Sequence, residues 1–167
     1  MCVLAEMPGA ILAFFLQSCY TFSRIGVIQL ERSEREQFFS SFPNTCTIKY
    51  KDGAFDYGTY HFHEQYEILL MLHSQAEFTI EDKTYQIGPR TLLLFNNKDL
   101  HKASSQCGQY PARYVLTFSP EYISAFSTPQ TELLACFLYR PFPDSQILHL
   151  SEYEATVLEA EFRELDE

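Results

Sequence analysis

The feature that most constrains this 167-residue chain is its punctuation between Thr45 and Phe118. Short runs rich in β-branched and aromatic residues recur at about 8–12-residue spacing, each closed by turn residues. Thr45–Tyr50 is followed by the turn Asp52-Gly53, and further strands are expected at Tyr57–Glu67, Ile68–Leu72, Glu77–Ile80, Thr84–Ile87, Thr91–Phe95 and Arg113–Phe118. Glu81-Asp82-Lys83 closes one hairpin and Gly88-Pro89 punctuates the next. No strand is long enough to stand alone, so the pattern predicts an antiparallel sandwich or small barrel. Fifteen Phe and eleven Tyr supply bulk for its core in a chain with no Trp.

After Phe118 the period changes. Ser119-Pro120-Glu121 offers a cap and a proline at the first helical position. Further helices are expected from about Thr131 to Tyr139 and from Glu152 onward, the latter opened by the capping box Ser151-Glu152-Tyr153-Glu154. On that last helix Leu158, Phe162 and Leu165 fall at i, i+4 and i+7, one apolar stripe on an acidic surface. The stripe suits either a seam with a second copy or packing on the flank of the chain's own barrel. Between Ser151 and Glu167 seven acidic residues face the single Arg163, so this helix carries most of the net charge of −10. That balance argues against these residues gripping a phosphate backbone. Acids at a helix C-terminus oppose the macrodipole, and Glu164, Asp166 and Glu167 therefore read as the middle of a longer helix.

Before the barrel, residues 1–20 read as a leader of uncertain status and residues 21–44 as an N-terminal arm. Within the arm, Ser33-Glu34-Arg35-Glu36 is a capping box for a short helix over 33–41. The apolar run Ala10–Leu16 is too short to cross a bilayer, which takes about 18 residues. Leu16-Gln17-Ser18-Cys19 has the look of a lipoprotein cleavage box, but no Lys or Arg precedes Arg24 and Glu6 sits in the wrong place. The five cysteines are odd in number, widely spaced and without a C-x-x-C pair, which argues against a disulfide scaffold or a zinc knuckle. Reduced thiols in a cytoplasmic protein are the expectation, with no membrane association.

The residues that carry chemistry are His61-Phe62-His63-Glu64-Gln65-Tyr66-Glu67. Alternation along a strand puts His61, His63 and Glu67 on one face, three metal-ligand types pointing into a barrel. His101 lies beyond two hairpins that could return it to the same place. The same four groups could equally bind a sugar or a carboxylate by hydrogen bonding with no metal present.

His61 to Ile68 resembles the first cupin motif, and Asn96-Asn97-Lys98-Asp99-Leu100-His101 stands where the second motif places its histidine. The order of segments is more narrowly similar to the N-terminal sensor domain of AraC/XylS-type bacterial transcription regulators. There a His-x-His…Glu-Ile strand is followed by a hairpin and a segment like Tyr114-Val115-Leu116-Thr117-Phe118-Ser119-Pro120-Glu121-Tyr122. The resemblance covers residues 45–167. Ser74 replaces the glycine that normally closes the first motif, Gly88-Pro89-Arg90 replaces Pro-Gly-Asp, and Asn96-Asn97-Lys98 replaces Asn-Pro-Gly. The last change removes the residues that fix the turn before His101.

The resemblance implies a mainly β chain, with a cupin-type double-stranded β-helix (jelly-roll) barrel at 45–118 and antiparallel helices at 119–167. It implies a regulator domain that is not an enzyme and binds a small-molecule effector, a sugar first among candidates, at Tyr57, Tyr60, His61, His63, Glu67 and His101. A divalent metal on His61, His63, Glu67 and His101 is the optional cofactor. It also implies a homodimer paired through Leu158, Phe162 and Leu165, and DNA contact only through a C-terminal helix-turn-helix domain outside these residues. Two other functions fit the same residues: a metal-dependent cupin enzyme (dioxygenase or isomerase) and a plain sugar-binding module.

Overall fold

The structure, a computed structural model, describes residues 46–55, 58–106, 109–124, 132–142 and 144–166. The leader, the arm with its expected helix at 33–41, and Tyr57 lie outside the described residues. Among the described residues eight strands follow in order: β1 (Cys46–Lys51), β2 (Tyr66–Met71), β3 (Ala76–Ile80), β4 (Lys83–Ile87), β5 (Thr91–Phe95), β6 (His101–Ser104), β7 (Arg113–Phe118) and β8 (Ile147–His149). Helix α1 (Pro120–Ser124) and the single turn α2 (Ala135–Leu138) precede β8, and α3 (Glu152–Asp166) follows it.

Two antiparallel sheets result, one ordered β1-β7-β2-β5-β8 and the other β4-β3-β6. They face each other across one core, in which Leu69, Met71, Leu93 and Phe95 of the larger sheet meet Ala76, Phe78, Ile80, Ile87 and Ala103 of the smaller. This is the antiparallel sandwich that the strand-and-turn pattern predicts, and it is consistent with the jelly-roll that the resemblance implies.

The central strands β2 and β5 of the larger sheet are buried on both faces, which explains why β2 is apolar almost without alternation: all six of its residues are buried. The second face of the sheet carries Tyr66, Tyr114 and Phe118, and the C-terminal elements cover it. Phe137 of α2 packs 5.0 Å from the Tyr66 ring and 5.5 Å from Phe118. Phe162 of α3 packs 5.7 Å from Tyr114. Leu158 and Phe162 are accordingly buried inside the subunit, and Leu165 is half-buried. Leu158 and Phe162 of the stripe therefore pack on the chain's own sheet.

The expected capping box is formed. Ser151 N–H and Oγ both donate to Glu154 Oε2, at 2.8 and 2.7 Å, and Glu154 N–H donates back to Ser151 Oγ at 3.3 Å. These bonds hold the Glu154 carboxyl below its ordinary value. At the other end of α3, Asp166 Oδ2 accepts the Tyr50 N–H, so the helix terminus is tied to β1.

Four differences from the sequence reading stand out. Tyr57–Glu67 is not a continuous strand, since β2 begins only at Tyr66 and His61 makes an isolated bridge. Strand β6 went unread because His101-Lys102-Ala103-Ser104 has little β-propensity of its own and is held by β3. Strand β8 lies inside the segment read as helical, where Ile147 to His149 adds to the edge of β5. The helix expected from Thr131 to Tyr139 is a single turn, and residue 131 itself is not described.

Candidate functional site

Register brings the site together. On the larger sheet Glu67 lies opposite Thr117, Leu69 opposite Val115, and Arg113 opposite both Met71 and Lys51. All project toward the smaller sheet. From the other side, His61 N–H donates to the His101 carbonyl at 2.9 Å and His101 N–H to the His61 carbonyl at 3.0 Å. This bridge places the two imidazoles 4.4 Å apart, and the His63 ring lies 4.9 Å from His61 and 5.2 Å from His101. His61, His63, Glu67 and His101 thus line one pocket, although the chain from 62 to 65 bends instead of alternating as a strand.

Hydrogen bonds fix which nitrogens face inward. His61 Nδ1 lies 3.2 Å from the Thr59 carbonyl, and His101 Nδ1 lies 2.9 Å from the Asp99 carbonyl. A carbonyl only accepts, so in each neutral ring Nδ1 carries the proton and Nε2 the lone pair. Burial lowers the His101 pKa to about 4, and burial first, then His61 and Lys51, lowers that of His63. The face of His101 stacks on Phe95, 4.0 Å away and 11° from parallel. His63 Nε2 is buried and makes no hydrogen bond. Glu67 Oε2 lies 3.4 Å from it, within ion-pair range but outside hydrogen-bond geometry. Burial pushes the Glu67 carboxyl up to about 7, against the opposing pull of Lys51 and Arg113.

The rest of the pocket was not legible in the sequence. Lys51 and Arg113 add positive charge, and Phe55, Leu69, Phe78, Ala103 and Val115 make apolar walls. Arg113 Nη1 donates to the Gly53 and Pro111 carbonyls, both at 2.8 Å, and its guanidinium carbon sits 3.8 Å over the Phe55 ring. Only the pairing of β1 with β7 reveals that these cations face Glu67, and no local motif encodes that pairing. Tyr60 is elsewhere: it is 47% exposed, with the Lys102 ammonium 4.7 Å from its ring centre, and it is not part of the pocket wall.

A divalent metal fits these residues. One ligand atom from each of His61, His63 and His101 lies within 4.8 Å of the others, and His63 Nε2 is buried without a hydrogen-bond partner. Backbone carbonyls hold the far nitrogens of two rings, as in built metal sites. Glu67, expected as a fourth ligand, is not in that three-histidine set; its Oε2 lies 3.4 Å from His63 Nε2, beside the site. Such an ion would act as a Lewis acid that draws in an oxygen ligand. The space is small, about 40 Å³, enough for a few waters or an ion.

A profile of the family described as AraC-like ligand binding domain matches residues 42–150. No curated protein matches the sequence. Among solved structures, unsaturated fatty acid-bound ToxT from Vibrio cholerae aligns at TM-score 0.50 and 17% identity, over 73% of this chain and 47% of ToxT. ToxT bound to (E)-4-(8-methylnaphthalen-1-yl)but-3-enoic acid aligns at TM-score 0.50 and 14% identity, over 74% of this chain and 49% of ToxT. A cupin protein from Bacteroides fragilis aligns at TM-score 0.38 and 13% identity, over 45% of this chain and 64% of that one. The alignments thus span about half of ToxT and under two thirds of the cupin protein. No helix among the described residues is long and apolar enough to cross a membrane. With the family profile matched across both sheets and β8, the chain belongs to the AraC-like ligand binding domains.

Proposed function

We propose that this chain is the effector-sensing part of an AraC-type transcription regulator, and that the effector engages His61, His63, Glu67 and His101. The observation that carries the reading is the convergence of these four groups on one pocket between the sheets of a ligand-binding domain. Imidazole and carboxyl groups among apolar walls are the few directional contacts that orient a small ligand. The hydroxyls of a sugar suit them. ToxT has been solved with an unsaturated fatty acid, and a carboxylate would suit Lys51 and Arg113 here. Either ligand exceeds the present space of about 40 Å³, so the walls must part to admit it. That movement is what a sensor needs, because only a ligand with different affinities for two states shifts their balance. Pairing as a homodimer and control of DNA binding by a C-terminal helix-turn-helix domain complete the proposal.

A melting-temperature screen with monosaccharides and with fatty acids tests it. A compound that raises Tm in the wild type and not in His101→Ala supports the pocket as the effector site. A compound that raises Tm equally in both places the effector elsewhere. A metal-dependent enzyme is the second reading, favoured only by the fit of the histidines to an ion, and turnover that follows metal content would select it.

A further inference from the structure

The turn before His101 has lost its fixing residues, yet side-chain hydrogen bonds hold it from within and from without. Asn96 Oδ1 accepts the Lys98 N–H at 2.8 Å, and Asp99 Oδ2 accepts the Asn96 N–H at 2.7 Å. Side chains have replaced the proline and glycine. The loop is also gripped from outside the barrel. Arg140, just beyond α2, donates from Nη1 to Asp99 Oδ1 and Oδ2 at 2.8 and 2.7 Å, and from Nη2 to the Leu94 carbonyl at 2.9 Å. Asn96 Nδ2 donates to the Phe137 carbonyl at 3.1 Å. The pair is largely shielded, with side chains 16% and 14% exposed, so it is not a solvated surface bridge.

Asp99 therefore faces two ways. Its carbonyl accepts the His101 Nδ1–H that orients the pocket imidazole, and its carboxylate is held by the segment covering the outer face of the larger sheet. We propose that Asp99 and Arg140 form a strut that positions His101 and passes occupation of the pocket to residues 132–142. The proposal rests on the effector-site reading above and names how that site reports outward. When His101 Nε2 engages a ligand, its Nδ1–H becomes a stronger donor and tightens on the Asp99 carbonyl. Asp99 then fixes Arg140, and by linkage whatever loosens the Asp99–Arg140 contact weakens binding in the pocket in turn. Both are positioning residues, since neither lines the pocket.

The test uses Co²⁺ alone as the probe, on the wild type, Asp99→Asn, Arg140→Gln and the double variant. Outer-shell partners of a ligating histidine change metal affinity by about 10–100-fold. Each single variant is expected to bind Co²⁺ at least about tenfold more weakly, and the double variant no worse than the weaker single. In the wild type Co²⁺ should slow hydrogen exchange at the Phe137, Leu138 and Tyr139 amides, and in Arg140→Gln it should not. Wild-type affinity together with retained slowing in Arg140→Gln overturns the strut, as does additive loss in the double variant. If the wild type takes up no Co²⁺, the metal reading fails by itself. The strut is then judged on the His101 ring nitrogen signals of the metal-free protein, which must shift in both single variants or the proposal falls. Arg140→Lys, which keeps the charge but not the two-sided grip, serves where Arg140→Gln does not fold.

Discussion

Glu67→Gln should make the metal-free domain more stable at alkaline pH and leave it unchanged in acid. Glu67 is 8% exposed, and burial raises its carboxyl from 4.5 to about 7. Between those values the folded protein holds a proton that the unfolded chain has released, so stability falls as pH rises. The contribution is fully present below pH 4.5 and gone above about pH 7. A shift of that size, at 1.36 kcal/mol per pH unit, corresponds to roughly 3 kcal/mol. His101 acts on the other flank. Its pKa is lowered from 6.5 to about 4, so the unfolded chain takes up its proton first and stability falls as pH drops from 6.5 to 4. The two trends oppose each other and nearly cancel between pH 4.5 and 6.5, so the stability of the wild type should change little across that window. Glutamine keeps the shape without the charge, so Glu67→Gln should remove the loss between pH 4.5 and 7 and keep the acid one, and its stability should climb from pH 4 to 6.5. Urea unfolding in EDTA at pH 5, 7 and 8.5 measures this directly. The advantage of the variant should grow from pH 5 to pH 7 and stay constant to 8.5. Midpoints that run in parallel from pH 5 to 7 would refute the reasoning, because Glu67 would then be ionised in a solvated or paired state.

Three further outcomes follow from the packing. Ser74 holds φ 63° where the family closes its motif with glycine, so Ser74→Gly should stabilise the domain by roughly 0.5–1 kcal/mol in urea, and a loss would mean the hydroxyl has a role. Phe162→Ala should cost about 3–5 kcal/mol at any protein concentration, since Phe162 is fully buried against Tyr114. A wild-type unfolding midpoint that falls on dilution would instead return Phe162 to a seam between subunits. Tyr60→Ala should leave the affinity of any effector found in the screen unchanged, and a tenfold loss would bring Tyr60 back to the pocket.

The strands that the sequence announced are those with their own turn chemistry, such as the β3–β4 hairpin closed at Glu81-Asp82. Glu81, at φ 54°, is held there by its N–H to the Leu100 carbonyl and by its carboxylate on the Leu100 N–H. Strands β6 and β8 were illegible because partners distant in sequence impose them. The histidines and Glu67 were legible as a set because of their spacing, but for a reason only partly right. Alternation does not bring His61 to the pocket; its backbone bridge to His101 does. Lys51 and Arg113 depend on a register spanning more than sixty positions, set by side-chain packing along β1 and β7. The apolar stripe of α3 was read correctly as a stripe, while its two possible destinations have the same periodicity and only tertiary packing separates them.

The central claim is that an effector is read by the histidine cluster between the sheets. Ring nitrogen NMR of His61, His63 and His101, followed while the most stabilising compound of the screen is titrated in, tests it most directly. The account predicts that all three rings shift together, with the same affinity as the rise in Tm. Saturable binding that leaves the three rings unmoved would contradict it.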